Sequence, residues 1–244
     1  LLRVPPREGH KQTGKPKGDG IYQVDDFYTS AATGKLILKP GITNNTRYDG
    51  GAAPGVVKYK DQNGDGKITT ADRTVIGNAM PKWFGGITNS FSFKGIDFSF
   101  MLQYSYGNDV FNATRQFATG SQDQRYNMLA EVADRWSPTN ASNKVPSTKG
   151  YVKGDVYSRF VEDGSFLRLK NMTLGYSLPK KWINKIHISK LRIYGTAQNL
   201  FCISGYSGYD PEVSTAASNP MTPGLDWGAY PKSRVFTFGL DVQF

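Results

Sequence analysis

The densest run of oxygen donors in the chain is Asp61, Asn63, Asp65, Gly66, Lys67, Thr69 and Asp72. Loops that hold calcium place side-chain oxygens at their first, third and fifth positions and glycine at the sixth. A backbone carbonyl follows at the seventh and a carboxylate at the twelfth. Asp61, Asn63 and Asp65 fill the first three, Gly66 the glycine, Lys67 the carbonyl and Asp72 the last, with Ile68 as the apolar anchor and Thr69 able to hold a water. The spacing therefore assigns calcium, or a similar hard cation, to Asp61, Asn63, Asp65, Lys67 and Asp72. Two features depart from the pattern: the last carboxylate is the shorter aspartate, and no amphipathic helix precedes the loop. The same residues also compose Asn-Gly and Asp-Gly turns whose carboxylates would merely satisfy local backbone amides. No neighbour could activate a water or take up a proton, so the role expected of any bound cation is structural.

No other chemistry-bearing constellation is spelled out. Cys202 is the single cysteine, which excludes an intramolecular disulfide and a thiolate metal cluster. With apolar neighbours and only His10 and His187 as histidines, Cys202 is expected to be a small packing residue, and His187, in a Lys-rich turn, a surface one. Glu162 and Asp163 are adjacent and point to opposite faces of a strand, whereas Glu131 and Asp134 share a face of a candidate helix, where solvation accounts for them. The chain is read as not an enzyme. Its formal charge of +10 raises nucleic acid as a partner. The one dense basic stretch, Arg3 to Lys17, is rich in Pro and Gly without interleaved aromatics, however, and is read as a solvated or lipopolysaccharide-facing arm. No nucleic-acid partner is expected.

Any such site must be positioned by strands. Gly (27), Tyr (14) and Phe (14) are abundant, a mixture that favours strands and turns. No signal peptide opens the chain, and no apolar run is long enough for a membrane-crossing helix. Barrel strands escape that criterion because they alternate. Phe236, Phe238, Leu240, Val242 and Phe244 share one parity against Thr237, Gly239, Asp241 and Gln243. Ile96, Phe98, Phe100, Leu102, Tyr104 and Tyr106 alternate in the same way, and upstream Ile87, Phe91 and Phe93 do so before a turn at Lys94 and Gly95. These two runs form a hairpin of spanning length. A second hairpin joins Leu167 to Leu178 with Leu191 to Gln198, and the apolar parity of its first strand switches near Lys170 and Asn171, as at a β-bulge. Weaker spanning candidates lie near Gly20 to Phe27 and Val56 to Lys60. Residues 109–164 and 206–231 read as long excursions, the former with a short helix over Tyr126 to Trp136 that stops at Ser137 and Pro138. Tight turns at one end and long loops at the other are the asymmetry of outer-membrane barrels.

The runs KYKDQNGDGKITTADR (58–73), EDGSFLRLKNMTLGY (162–176), QNLF (198–201), YSGYDPE (206–212) and YPKSRVFTFGLDVQF (230–244), with Ile76, Gly77, Asn78, Pro81 and Lys82, resemble in order and spacing the C-terminal portion of SusC/RagA outer-membrane transporters. The resemblance covers 19–244 and leaves 1–18 poorly matched. It implies an all-β fold: the C-terminal portion of a transmembrane antiparallel β-barrel of roughly 22 strands, with long extracellular loops. By the same resemblance the complete protein is a TonB-dependent importer of oligosaccharides or peptides in Bacteroidota. An N-terminal plug would lie outside this chain, TonB would act through that missing part, and a SusD-like surface lipoprotein would close the extracellular mouth. The polar parity, Gln103, Asp241 and Gln243 included, would line the lumen, and the apolar parity would meet outer-membrane lipid. The competing expectations are a secreted calcium-binding β-sandwich that recognises glycans and a complete small barrel.

Overall fold

The computed structural model describes residues 7–9, 20–47, 50–120, 126–142, 144–148, 150, 156–183, 187–213 and 223–244. Two compact units emerge. One gathers Met80–Asp109, Asp163–Ser214 and Ala229–Phe244; the other gathers Leu1–Ala79, Val110–Glu162 and Thr215–Gly228.

In chain order the strands are β1 (Arg7–Gly9), β2 (Phe27–Thr29), β3 (Leu36–Leu38), β4 (Thr74–Gly77), β5 (Trp83–Phe93), β6 (Ile96–Tyr106), β7 (Asp109–Asn112), β8 (Val161–Asp163), β9 (Phe166–Ser177), β10 (Lys190–Ser204), β11 (Leu225–Asp226) and β12 (Val235–Gln243). The first unit is built on one antiparallel sheet in the order β12-β10-β9-β6-β5. Its strands run from 9 to 15 residues, the length that crosses a bilayer at a steep tilt. The β5–β6 turn places Lys94 at φ 48° and Gly95 at φ 86°, the two left-handed residues that a two-residue hairpin loop requires.

Register carries the alternation across the whole sheet. Phe91 faces Phe98, which faces Leu174, then Gly195, then Phe238. The next row is Phe93, Ile96, Tyr176, Ile193 and Leu240. All of these share one face, and it is uncovered: Phe91 is 58% exposed, Leu174 54% and Phe238 85%. A soluble sandwich would bury this face under a second sheet. The parity switch expected in β9 is a bulge. Asn171 pairs with Met101 and Gln198, and Leu169 with Leu102 and Phe201, so Lys170 is the extra residue on β9 and Asn199 and Leu200 are the extra ones on β10. Asn199 takes φ 49° to turn it. The irregularity restores Leu169 and Leu167 to the apolar face.

The second unit has a core of its own. Val57, Tyr59, Phe111, Ala113, Tyr157 and Phe160 form one buried cluster, and Tyr22, Phe27 and Val56 another. Tyr59 and Tyr157 meet edge to face with centroids 5.7 Å apart, an arrangement favoured by the ring quadrupoles. Tyr22 donates to the Thr43 carbonyl (2.6 Å) and accepts from the Asn45 amide (2.7 Å); burial pushes its hydroxyl up to about 12.

Three expectations are corrected here. The segments near Gly20 to Phe27 and Val56 to Lys60 are not spanning strands: their only ladder pairing with each other is the isolated bridge Ile21↔Val57, and Ile21, Tyr22, Val57 and Tyr59 are fully buried. The excursion 109–164 carries its α-helix at Ala113–Gly120 (α1), where Asn112 Oδ1 accepts from the Arg115 amide (2.8 Å) as an N-cap. The expected helix over Tyr126 to Trp136 shrinks to one 3-10 stretch, Ala130–Asp134, that lacks a side-chain cap at Leu129. Cys202 is exposed rather than packed, because the register sets it opposite Arg168 on the polar parity. Of the basic arm, Arg7–Gly9 pairs with β4; His10 and the rest of residues 1–18 lie outside the described residues. His187 is exposed, as expected.

Candidate functional site

The polar face of the sheet is the candidate surface. Its central row is hydroxylic: Ser90 faces Ser99, then Thr173, Thr196 and Thr237, and the Thr173 and Thr196 hydroxyls are 3.2 Å apart. Nearer the short turns the row is Ser92, Asp97, Gly175, Tyr194 and Gly239. Asp97 on β6 reaches across β9 to Arg192 on β10, taking a hydrogen bond from its Nε at 2.9 Å and a second from its terminal nitrogen. Gly175 lies beneath that bridge. A Cβ there would come within 2.6 Å of both the carboxylate and the guanidinium, so any side chain would displace the pair. The Arg192 guanidinium sits 4.9 Å from the Tyr194 ring centre, and a Cβ at Gly239 would collide with that ring at 2.4 Å. Two glycines thus clear the space for one cation, one anion and one aromatic ring on an otherwise small-residue wall.

Toward the long loops the same face becomes strongly charged. Gln103, Arg168 and Cys202 share a row. The Arg168 guanidinium pairs with Asp210, and both side chains are 4% exposed. Glu212, two residues on, receives Lys170 Nζ at 3.1 Å, Lys232 Nζ, and the Gln103 amide at 3.5 Å. Asp210 also accepts from the Glu212 amide at 2.9 Å, a local turn that presents both carboxylates to the sheet. Burial raises the Glu212 carboxyl, but the hydrogen bonds from Lys232 and Lys170 outweigh it and hold the group below the usual carboxylate range. The YDPE segment is thereby tethered to the polar wall by two acids against three bases.

Of the lumen-lining residues expected from sequence, Gln103 joins this network, Asp241 lies opposite Arg192, and Gln243 lies opposite Lys190. The Asp97–Arg192 bridge and the Asp210 and Glu212 tether were not assigned from sequence. The first has a signal that could have found it: an isolated charge of each sign, Asp97 and Arg192, on the polar parity of strands brought close by two hairpins.

The other charged cluster belongs to the second unit. Arg115 on α1 donates to both oxygens of Glu131 at 2.7 Å and to Glu162 at 3.1 Å. The Arg115 hydrogen bonds hold Glu131 below its ordinary range. Glu131 is therefore an ion-pair partner rather than a solvated acid.

The oxygen-rich loop winds on itself. Asp61 accepts from the amides of Gly64 (2.7 Å) and Gly66 (2.8 Å), Asn63 from Asp65 (3.0 Å) and Asp65 from Lys67 (2.8 Å). Gly64 and Gly66 take φ 77° and 76° to make these turns. Asp72 is fully buried and accepts from Gln62 (2.9 Å) and Thr69 (2.7 Å). It closes the loop and caps the 3-10 turn Thr70–Asp72. The Thr69 amide, acting against the cost of burial and aided by Gln62, holds the Asp72 carboxyl below its ordinary value. Each Asp61 oxygen accepts one backbone amide here and keeps a further lone pair by chemistry, which is compatible with a cation, whereas Asp72 is already engaged by Gln62, Thr69 and its neighbours. Among the described residues no three Asp, Glu, His or Cys side chains converge as a metal-holding group.

A sheet with one hydroxylic and charged face, one uncovered apolar face, and a two-residue turn at the end opposite the long excursions is a piece of an outer-membrane β-barrel wall. No protein-family profile matches the chain. It is 34% identical over 230 residues to TonB-dependent receptor P3 of Formosa agariphila (92% of this chain, 21% of the relative) and 37% identical over 195 residues to TonB-dependent receptor P26 of the same organism (78% and 20%). To TonB-dependent receptor SusC of Bacteroides thetaiotaomicron it is 32% identical over 199 residues (81% and 18%). Among solved structures, the RagAB peptide importer in its open-open state superposes with a TM-score of 0.65 at 23% identity, covering 95% of this chain and 25% of that one. The closed-closed state gives 0.66 over 98% and 23%. The chain belongs with the SusC/RagA type of TonB-linked outer-membrane receptors, and its five-stranded sheet is a segment of their barrel. It spans about a fifth of the length of the curated relatives it matches. Those relatives are TonB-dependent receptors.

Proposed function

We propose that the chain is the C-terminal barrel portion of a TonB-dependent outer-membrane importer of glycans or peptides that works with a SusD-like surface lipoprotein. The observation that carries this reading is the two-faced sheet, whose residues match receptors of this type over most of the chain. The segment's part is passive: the apolar parity holds the wall in lipid, and the hydroxylic and charged parity gives a solute a wet surface. The tethered YDPE segment narrows that surface. The plug and the TonB-contacting element belong to the remainder of the receptor. That SusC and RagAB stand among the matches supports a surface lipoprotein as partner. The test is affinity isolation of the complete receptor from native outer membranes, grown on oligosaccharide or on peptide. A surface lipoprotein should co-isolate at near-equal amount, and uptake of one nutrient class should require both TonB and the receptor. Isolation of the receptor alone, with uptake unaffected by its deletion, would refute the proposal.

The loop at 61–72 is proposed to take a structural calcium ion through Asp61, Asn63, Asp65, the Lys67 carbonyl and Asp72. Support comes from the donor spacing and from a backbone already wound so that these oxygens sit on neighbouring turns. Calcium titration of the receptor by calorimetry should show one site that Asp65→Ala weakens by roughly 10-fold or more, since one of few charged ligands is lost. Equal affinity in the two proteins would retire the ion and leave a self-satisfied turn.

A further inference from the structure

The end of the sheet that carries the tight turns has a feature that solute import does not use. Lys94 sits in the β5–β6 turn, and Lys180, Lys181 and Trp182 lie in the connection between β9 and β10, on the one-turn helix α2 (Lys180–Ile183). Lys190 opens β10 opposite Gln243. Hydrogen bonds bring these turns to one edge: the Ser177 amide donates to the Gly95 carbonyl (2.7 Å), Leu178 to Leu191 (2.9 Å) and Ser189 to Gln243 (2.8 Å). On the described part of this connection Ile183 is buried and accepts from the Ile188 amide. With Ile183 anchored inward, Trp182 is 65% exposed and all four lysines are exposed. The carboxylates facing this edge among the described residues, Asp97 and Asp241, lie on the polar face beside Arg192, and Asp97 is bound to it. Asp97 also acts on Lys190, which shares that face; the remaining positive charge at this edge is carried by Lys94, Lys180 and Lys181.

The same edge borders the lipid-facing surface. Phe93 ends the apolar run of β5, and Val242, opposite Leu191, is the last apolar residue paired on β12; the Lys94 ammonium lies 5.1 Å from the Phe93 ring centre. An exposed indole at that level belongs in the interfacial zone, where one end of the ring is apolar and the other wet. Basic residues clustered at the rim of a membrane-crossing surface attract anionic headgroups. Tight turns mark the periplasmic end of such barrels.

We infer that Lys94, Lys180, Lys181 and Lys190, with Trp182, form a binding rim for the anionic headgroups of phospholipids in the periplasmic leaflet, chemically a phosphate ester flanked by acyl chains. The occupant is argued from the rim's continuity with the bilayer face and from its charge. The inference rests on the reading above only in requiring the segment to sit in a complete barrel.

The test uses the complete receptor in nanodiscs of equal parts phosphatidylethanolamine and phosphatidylglycerol, with retained lipids counted by native mass spectrometry. The unsubstituted protein should keep phosphatidylglycerol in excess, and about 0.5 M salt should abolish the excess. K94Q/K180Q/K181Q/K190Q should lower the excess about fivefold, while the four-arginine counterpart keeps it. Heat-modifiable migration on gels checks separately that each barrel is closed, so a failed barrel and a failed rim are distinguishable. Equal retention of the two lipids by the unsubstituted closed barrel, or a closed glutamine variant with unchanged preference, would overturn the proposal.

Discussion

Arg168→Ala is expected to cost about 3–5 kcal/mol, because it leaves the Asp210 carboxylate buried without its cation. Both side chains are 4% exposed, so little water can replace the guanidinium. Arg168 and its neighbours also hold the loop as a unit: with Arg168 gone, Glu212 has only Lys170, Lys232 and Gln103 to keep the YDPE segment on the sheet. Thermal or urea unfolding of the refolded receptor in detergent reads the loss. A double-mutant cycle with Asp210→Ala should give a coupling of roughly 2–3 kcal/mol, since removing both charges leaves no orphan. Additive single effects would mean that the tether is a solvated contact and not a buried pair.

The second large effect concerns the medium on the apolar face. Leu174→Arg lies on β9 one row deeper than Tyr176, in the row Phe91, Phe98, Leu174, Gly195 and Phe238. In a bilayer, where the cost of a charge grows with depth, it should cost about 1–3 kcal/mol, whereas Tyr176→Arg, one row nearer the turns, should cost about 0–1 kcal/mol. Thr173→Arg, one residue away on the polar parity, loses only the contact with Thr196 and should cost about 1 kcal/mol. Refolding titrations into vesicles give all three values. If the apolar face were bathed by water, Leu174→Arg would be neutral, because that side chain is already half exposed.

The sheet was legible because its strands repeat one two-residue period over nine or more positions, and a one-residue slip would reverse every side chain. Even the bulge could be seen, as the parity change at Lys170 and Asn171. The second unit was not legible. Its core is drawn from Tyr22, Val57, Tyr59, Phe111, Tyr157 and Phe160, single residues scattered over more than a hundred positions without a period. The runs near residues 20–27 and 56–60 therefore looked like weak strands when they were core contributors. Helix α1 was overlooked although Asn112 is a favoured N-cap residue, while Met128, Val132 and Trp136 had helical spacing but no cap to start the turn. For the candidate site, the polar parity was readable and the partners were not. That Asp97 finds Arg192 over Gly175 follows from register between strands far apart in the chain, and that Asp210 finds Arg168 follows from how a loop folds back onto β9. The oxygen-rich loop is the reverse case: its ligand types were explicit in the sequence, and its turn geometry follows from Gly64 and Gly66.

In an assembled barrel, lipid meets one parity of these strands and water the other. Spin labels placed singly at Phe98, Leu174 and Phe238, and at Ser99, Thr173 and Thr237, in the receptor reconstituted into vesicles, test this most directly through collisional relaxation by oxygen and by a water-soluble nickel chelate. The first three should be relaxed by oxygen and shielded from nickel, and the second three should show the opposite. Equal exposure of both sets to nickel would contradict the barrel wall and everything built on it.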